Sequence, residues 1–208
     1  RDVAVTGVQT CALPIYILCM PECFLQGYFT SYSEAFQNSL ELDSQPFQNF
    51  LNGLQRFQKT TLIVGLNEKI GDQVFNTAVV IEKGRLIGKY QKAYTYPPYD
   101  YFSLGRDFPV FEKNSVRYSI VICYDILFRE PILISSLKGA QVIFCPMFIR
   151  VEKNSPLLPH MHTKNHFIAR SFDSQCWLVC SDIIWDSDTH ICQGYATILD
   201  PNGTIISA

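Results

Sequence analysis

Cys123 closes the apolar run Ser119-Ile120-Val121-Ile122-Cys123, and Tyr124-Asp125 follow it. The run reads as a β-strand, and a helix-like segment begins shortly after, at Glu130-Pro131. A thiol at a strand's carboxyl end, facing the next helix, is where an α/β enzyme places a nucleophile. Backbone N–H groups at such a turn hold a developing oxyanion. The same segment also fits a buried, inert cysteine that ends a core strand. Two more positions put a reactive group just beyond an apolar strand: Glu22 in CMPECFLQGYF and Lys92 in GKYQKAY. Carboxyl ends of strands form the usual site edge of an α/β sheet, so residues far apart in sequence meet there. The trio suits acyl transfer. A thiolate attacks a carbonyl or nitrile carbon, a carboxylate takes the thiol proton and later activates water, and an ammonium steadies the tetrahedral oxygen. Taken alone, Glu22 fits a loop or helix-start carboxylate, and Lys92 an ordinary strand-end lysine.

The elements that must position these groups are legible in the periodicity. Strands are expected over 16–20, 61–66, 74–81, 86–91, 117–123, 142–146 and 176–181. Helices are expected over 33–40, 45–59, 131–138 and 160–173; in the second, Phe47, Phe50, Leu51, Leu54 and Phe57 recur at helical spacing. Glu82-Lys83-Gly84-Arg85 is a hairpin signal. The segment 194–199 should pair by hairpin with 204–207, across Asp200-Pro201-Asn202-Gly203. Residues 92–106 form a loop rich in tyrosine and proline. Strand, helix, strand over 117–146 is a βαβ unit with parallel strands. This order argues for layered α/β, with a mixed sheet or two sheets and helices outside.

Composition excludes several classes. Of 208 residues, 48% are hydrophobic and 17% charged, a globular balance. A net charge of -2 is a poor match to a phosphate backbone, so no nucleic-acid partner is expected. No apolar run reaches spanning length, so no membrane partner is expected. Several of the eight cysteines lie inside strand-like runs, such as Cys19, Cys145, Cys176 and Cys180. That placement suits free thiols in a reducing, cytoplasmic compartment.

PECFLQGYF, NTAVVIEKGRLIGKYQKAY and ICYDILFREPILISSLKGAQVIFCP resemble, in order, the three signature segments of the nitrilase, or carbon–nitrogen hydrolase, superfamily. ARSFDSQCWLVCSD and GYATILDPNG resemble its later strands. The resemblance implies an α-β-β-α sandwich with two mixed sheets between helix layers, pairing into a homodimer or higher oligomer. It implies Glu22 as general base, Lys92 as oxyanion-stabilising cation, Cys123 as nucleophile and the Tyr124 backbone N–H as oxyanion donor. No cofactor and no metal is implied. The implied activity is hydrolysis of a small-molecule amide or N-carbamoyl amide through a Cys thioester; Ala93-Tyr94 after the lysine resembles an amidase-like branch. Pro98 stands where many members carry a second glutamate, and Asp100 is the nearest carboxylate that would replace it. Leu127 and Arg129 depart from the usual pattern after the nucleophile, and Ala196 stands where serine is common. Asp125 and Glu130 keep the pattern and are expected to pin the turn. The altered loop leaves a second reading, a catalytically impaired binding or scaffold member of the same fold.

Three expectations stand apart. Residues 5–15 resemble the conceptual translation of a sequencing-adapter oligonucleotide, so 1–15 is read as a non-native segment and 16–208 as a partial domain, truncated at both ends. His160, His162 and His166 are spaced so that a zinc-binding module is a third reading. Tyr94, Tyr96, Tyr99 and Tyr101 either line a pocket mouth or pack on the sheet.

Overall fold

The computed structural model describes residues 15–29, 31–155 and 164–207. Two sheets lie face to face. One has the order β1 (Ile17–Cys19), β2 (Thr61–Ile70), β3 (Gln73–Glu82), β4 (Arg85–Gln91). The other runs β13 (Ile205–Ser207), β12 (Thr197–Leu199), β9 (Trp177–Ser181), β7 (Val142–Pro146), β6 (Val116–Ile120), β5 (Val110–Lys113). A small third sheet joins β10 (Ile184–Asp186), β11 (His190–Gln193) and β8 (Val151–Glu152).

Alternation along each strand explains the layers. Ile63, Ala78, Val80 and Tyr90 of the first sheet meet Tyr118, Ile120 and Phe144 of the second, with Ile122 just beyond β6, filling the space between them. The opposite face of the first sheet presents Leu62, Val64, Leu66, Val79 and Ile81 to Phe47 and Leu51 of α2 (Gln45–Gly53). The opposite face of the second presents Ile143, Cys145, Leu178 and Cys180 to Ile132 of α3 (Glu130–Leu137) and Phe167 of α4 (Asn165–Ser174). With α1 (Tyr32–Asn38) on the first sheet's side, the layers are α-β-β-α.

Most expected elements are present, with shifted ends. The strand expected over 117–123 stops at Ile120, and Cys123 opens a 3-10 helix, Cys123–Leu127. The helix expected over 45–59 stops at Gly53, where glycine costs helical stability and the Leu54 N–H turns back to Leu51. Leu54 and Phe57 nevertheless pack on the same core. The strand expected over 61–66 continues to Ile70 and returns through a hairpin at Gly71, whose φ of +59° suits a tight turn. Strands β5, β8, β10 and β11 were not legible: two have three residues or fewer, and Val110–Lys113 is only partly buried. The stretch 117–146 is the parallel βαβ unit expected. His160 and His162 lie outside the described residues, as do residues 1–14; His166 is exposed on α4.

Strand direction puts the active carboxyl ends on one edge. β1 pairs parallel with β2, and β4 runs the same way across the antiparallel β3. In the second sheet β6, β7 and β9 are parallel. Gly65 on β2 lets the chain after β1 come close: a Cβ there would lie 2.6 Å from both the Pro21 carbonyl oxygen and the Cys23 nitrogen. The Gly65→Ala variant should therefore lose about 1–3 kcal/mol of stability, by overpacking against rigid backbone. Urea unfolding midpoints read this directly, and a loss below about 0.5 kcal/mol would contradict the close packing.

Candidate active site

Glu22 owes its place to a turn that two sheets hold. Pro21 has no N–H to continue the pairing of β1, so the chain leaves the sheet there. Cys23 then adopts a left-handed φ of 48°, and the Leu25 N–H donates to the Gly65 carbonyl at 3.0 Å. The Glu22 N–H donates to the Met147 carbonyl at 3.2 Å, tying the turn to the end of β7. Asn67 of β2 braces the loop beyond, with its Nδ2 donating to the Gly27 carbonyl at 2.8 Å.

Lys92 follows β4 directly. Its N–H donates to the Asn76 carbonyl at 2.9 Å, and its carbonyl accepts from the Gly105 N–H at 2.8 Å. Its Nζ lies 2.6 Å from Glu22 Oε1, and both side chains are buried, 3% and 0% exposed. Asn76 Nδ2 donates to the same Glu22 oxygen at 2.8 Å and to the Tyr28 hydroxyl at 3.2 Å. Glu22 Oε2 is buried with no hydrogen-bond partner among the described residues. Burial alone would favour neutral lysine, but the charges of Glu22, Cys123 and Asp125 outweigh it and hold the ammonium above its ordinary pKa.

Cys123 sits at the first position of its 3-10 helix with φ 44°, a conformation that non-glycine residues adopt only under constraint. The constraint is Asp125. Its Oδ2 accepts from the Ile122 N–H at 2.9 Å and from the Tyr90 hydroxyl at 2.7 Å, and its Oδ1 accepts from the Tyr94 N–H at 2.8 Å. One carboxylate thus joins the Cys123 turn to both sides of Lys92. Burial pushes Asp125 up to about 6, against the pull of Lys92 and these hydrogen bonds. Burial and then the Glu22 charge push the Cys123 thiol well above its usual range, opposed by Lys92 and the Phe148 N–H. A thiol so placed needs a proton acceptor at the moment of attack. The Tyr124 N–H lies in the first turn of this 3-10 helix, where the leading N–H groups point out of the helix.

The model for carbon–nitrogen hydrolases matches residues 7–208. The chain belongs to the carbon–nitrogen hydrolase family. This hydrolase is 28% identical over 196 residues to the 2-oxoglutaramate amidase of Bacillus subtilis, covering 92% of this chain and 72% of the relative. It is 24% identical over 210 residues to the omega-amidase NIT3 of Saccharomyces cerevisiae, covering 92% and 69%. Among solved structures, an amidase from Nesterenkonia sp. superposes with a TM-score of 0.76 at 23% identity, covering 92% of this chain and 72% of that one. These likenesses place it in the nitrilase superfamily, as an amidase-like hydrolase with that superfamily's fold.

The hydrolase's other expected residues fall less centrally. Asp100 is exposed at the end of a 3-10 turn, Pro97–Tyr99, and makes no side-chain hydrogen bond to the buried pair among the described residues; the acid expected to replace the second glutamate is outside the core of the site. Glu130 is exposed in the first turn of α3, so Asp125 rather than Glu130 holds the turn at Cys123. Tyr101 packs with Phe102 and donates to the Phe29 carbonyl, and the Tyr96 and Tyr99 rings lie 6.2 Å apart, tilted. Asn76, Tyr28 and Phe148 were missed. Asn76 carried one signal, a lone amide in the apolar run of β3. Phe148 carried another, two residues past a strand end on the shared edge.

Removing one member of the buried pair should cost more than removing both. Lys92→Met should lose about 3–5 kcal/mol, and adding Glu22→Gln should restore a large part of it. Chemical denaturation of the two single variants and the double variant measures the coupling; simple additivity would contradict the pair. Asp125 gives a pH signature. Its folded value, about 6, lies above the ordinary aspartate value, so the folded chain holds this proton more tightly than the unfolded chain. Wild-type stability relative to Asp125→Asn should therefore fall as pH rises from about 4 to about 6. A gap that widens in favour of wild type over that range would contradict the assignment.

Proposed function

We propose that this enzyme hydrolyses small-molecule amides through a thioester on Cys123, with Glu22 as general base and Lys92 as oxyanion-stabilising cation. The observation that carries the reading is the buried 2.6 Å contact of Lys92 Nζ with Glu22, beside a thiol whose field includes both charges. Glu22 Oε2 takes the thiol proton as sulfur attacks the carbonyl carbon. The carbonyl oxygen becomes the oxyanion, held by the Lys92 ammonium and the Tyr124 N–H. As the tetrahedral centre collapses, protonated Glu22 gives its proton to the nitrogen; the C–N bond breaks and ammonia or an amine leaves. Water then loses a proton to Glu22 and attacks the thioester, and collapse releases the acid and returns the proton to sulfur. Buried Tyr28 accepts from Asn76 Nδ2, and the Glu22 charge acts on its hydroxyl. Relatives named as amidases support an amide substrate.

A second copy of the chain covers the outer helices, because Leu137 is 87% and Phe172 59% exposed on α3 and α4. The compartment is reducing and cytoplasmic, a reading supported by free thiols at Cys19, Cys23, Cys145, Cys176, Cys180 and Cys192.

Steady-state kinetics on a panel of aliphatic amides tests the mechanism. Cys123→Ala should abolish turnover, and Glu22→Gln should lower kcat by about 10²–10⁴-fold. Turnover that survives Cys123→Ala would refute the nucleophile. Ligand binding without any turnover in the wild type would favour the impaired scaffold.

A further inference from the structure

A further acid stands on the edge where Glu22, Lys92 and Cys123 meet. Asp182 follows β9 directly, and β9 runs parallel to β7. It is partly buried, and backbone N–H groups take both of its oxygens. Oδ1 accepts from the Ile149 and Ile183 N–H groups at 3.2 and 2.9 Å, and Oδ2 accepts from the Tyr195 N–H at 3.0 Å. Burial pushes its carboxyl above the ordinary aspartate value, opposed by these three N–H groups, and the Glu22 charge adds to the push.

The three donors sit at the roots of the small third sheet. Ile149 lies two residues before β8, Ile183 directly before β10, and Tyr195 two residues after β11. That sheet has little core of its own, since β8 has two residues and Ile184 of β10 is exposed. A single carboxylate gathers its base instead.

The segment that carries Ile149 also runs through the site. The Met147 N–H donates to the Ser181 carbonyl at 2.8 Å, and the Met147 carbonyl accepts from the Glu22 N–H at 3.2 Å. The next N–H, that of Phe148, donates to the Cys123 sulfur, and the Phe148 ring stacks on Tyr28 with centroids 5.2 Å apart. The Met147–Phe148 peptide thus meets Glu22 at its oxygen and Cys123 at its nitrogen. A peptide group is planar, so one rotation moves both contacts together. The flanking peptides set that rotation: one is held at Ser181, the other by Asp182 through the Ile149 N–H.

We propose that Asp182 is a positioning residue of this site: by holding the Ile149 N–H it sets the plane of the Met147–Phe148 peptide, and with it the hydrogen bond that the Phe148 N–H gives the Cys123 sulfur. Its catalytic consequence rests on the reading of Cys123 as the nucleophile of an amidase. Without Asp182 the sulfur loses a well-aimed donor at the step in which it becomes an anion.

Three variants separate position from charge. Asp182→Asn keeps an acceptor oxygen for the Ile149 N–H, Asp182→Ala removes it, and Asp182→Glu keeps the charge but displaces the oxygens by one methylene. Alkylation of Cys123 by iodoacetamide as a function of pH, followed by peptide mass spectrometry, reads the thiol without any substrate. The Asp182→Ala profile should lie higher by about half a pH unit or more, and the Asp182→Asn profile should stay close to wild type. Asp182→Glu should shift in the same direction as Asp182→Ala, and it decides the matter where the alanine variant does not fold. On the aliphatic amides, Asp182→Ala should lower kcat by about tenfold or more with KM within about threefold of wild type, and Asp182→Asn should recover most of that loss. A profile that the folded alanine or glutamate variant leaves in place or moves to lower pH overturns the proposal, as does a kcat loss of equal size in Asp182→Asn and Asp182→Ala. If no amide is turned over, a profile shifted by Asp182→Ala or Asp182→Glu and kept by Asp182→Asn still supports the positioning role and sinks only the amidase reading.

Discussion

A carboxylate and an ammonium, both removed from water, stand 2.6 Å apart at the meeting of the two sheets. Neither would be tolerated there alone, because an isolated buried charge costs several kcal/mol. Their mutual field offsets that cost only if the distance is kept, so the surrounding backbone must be rigid. Glu22 is held from both sheets through Gly65 and Met147, and Lys92 is held through Asn76 and Gly105. A Cβ on Gly105 would lie 2.0 Å from the Gln91 carbonyl oxygen, so this strand end leaves no room for a larger residue. The pair therefore makes fold and site one problem: loosening either loop exposes or unpairs a charge.

The third group enters through a different constraint. Cys123 is carried by a sharp turn with left-handed φ, and such strain persists only where neighbours over-determine it. Asp125 supplies that determination with bonds to the Ile122 and Tyr94 N–H groups and the Tyr90 hydroxyl. Because Tyr90 and Tyr94 flank Lys92, the strand that presents the cation and the turn that presents the thiol are registered by one residue. High thiol pKa and an adjacent carboxylate belong together in this picture. On the proposed mechanism, Glu22 would take the thiol proton as sulfur attacks.

The elements that bury long apolar stretches were legible. Apolar runs marked β3, β7 and β9, and helical spacing marked α2. Glu22, Lys92 and Cys123 stood out in sequence because each closes or follows an apolar run, and the strand directions bring those run ends to one edge. The misses share a physical cause. Cys123 was expected to end a strand because Val121 and Ile122 are apolar, yet both are buried outside any strand, and it is the Asp125 hydrogen bonds that turn the chain. Asp100 and Glu130 have the right chemistry at the right place in sequence, but sequence spacing does not say which way a loop or helix end faces. Asn76 and Tyr28 reach Glu22 across β3 and a loop of the first sheet, contacts that only the sheet register reveals.

The central claim is that sulfur at position 123 bonds to substrate carbon within this charged pocket. Intact-protein and peptide mass spectrometry on a reaction quenched during steady turnover of a slow amide measures it directly. The account predicts an added mass equal to the substrate acyl group, located on the peptide that contains Cys123 and removed by hydroxylamine. Product formation with the adduct on another cysteine, or with no adduct under conditions that trap thioesters, would contradict it.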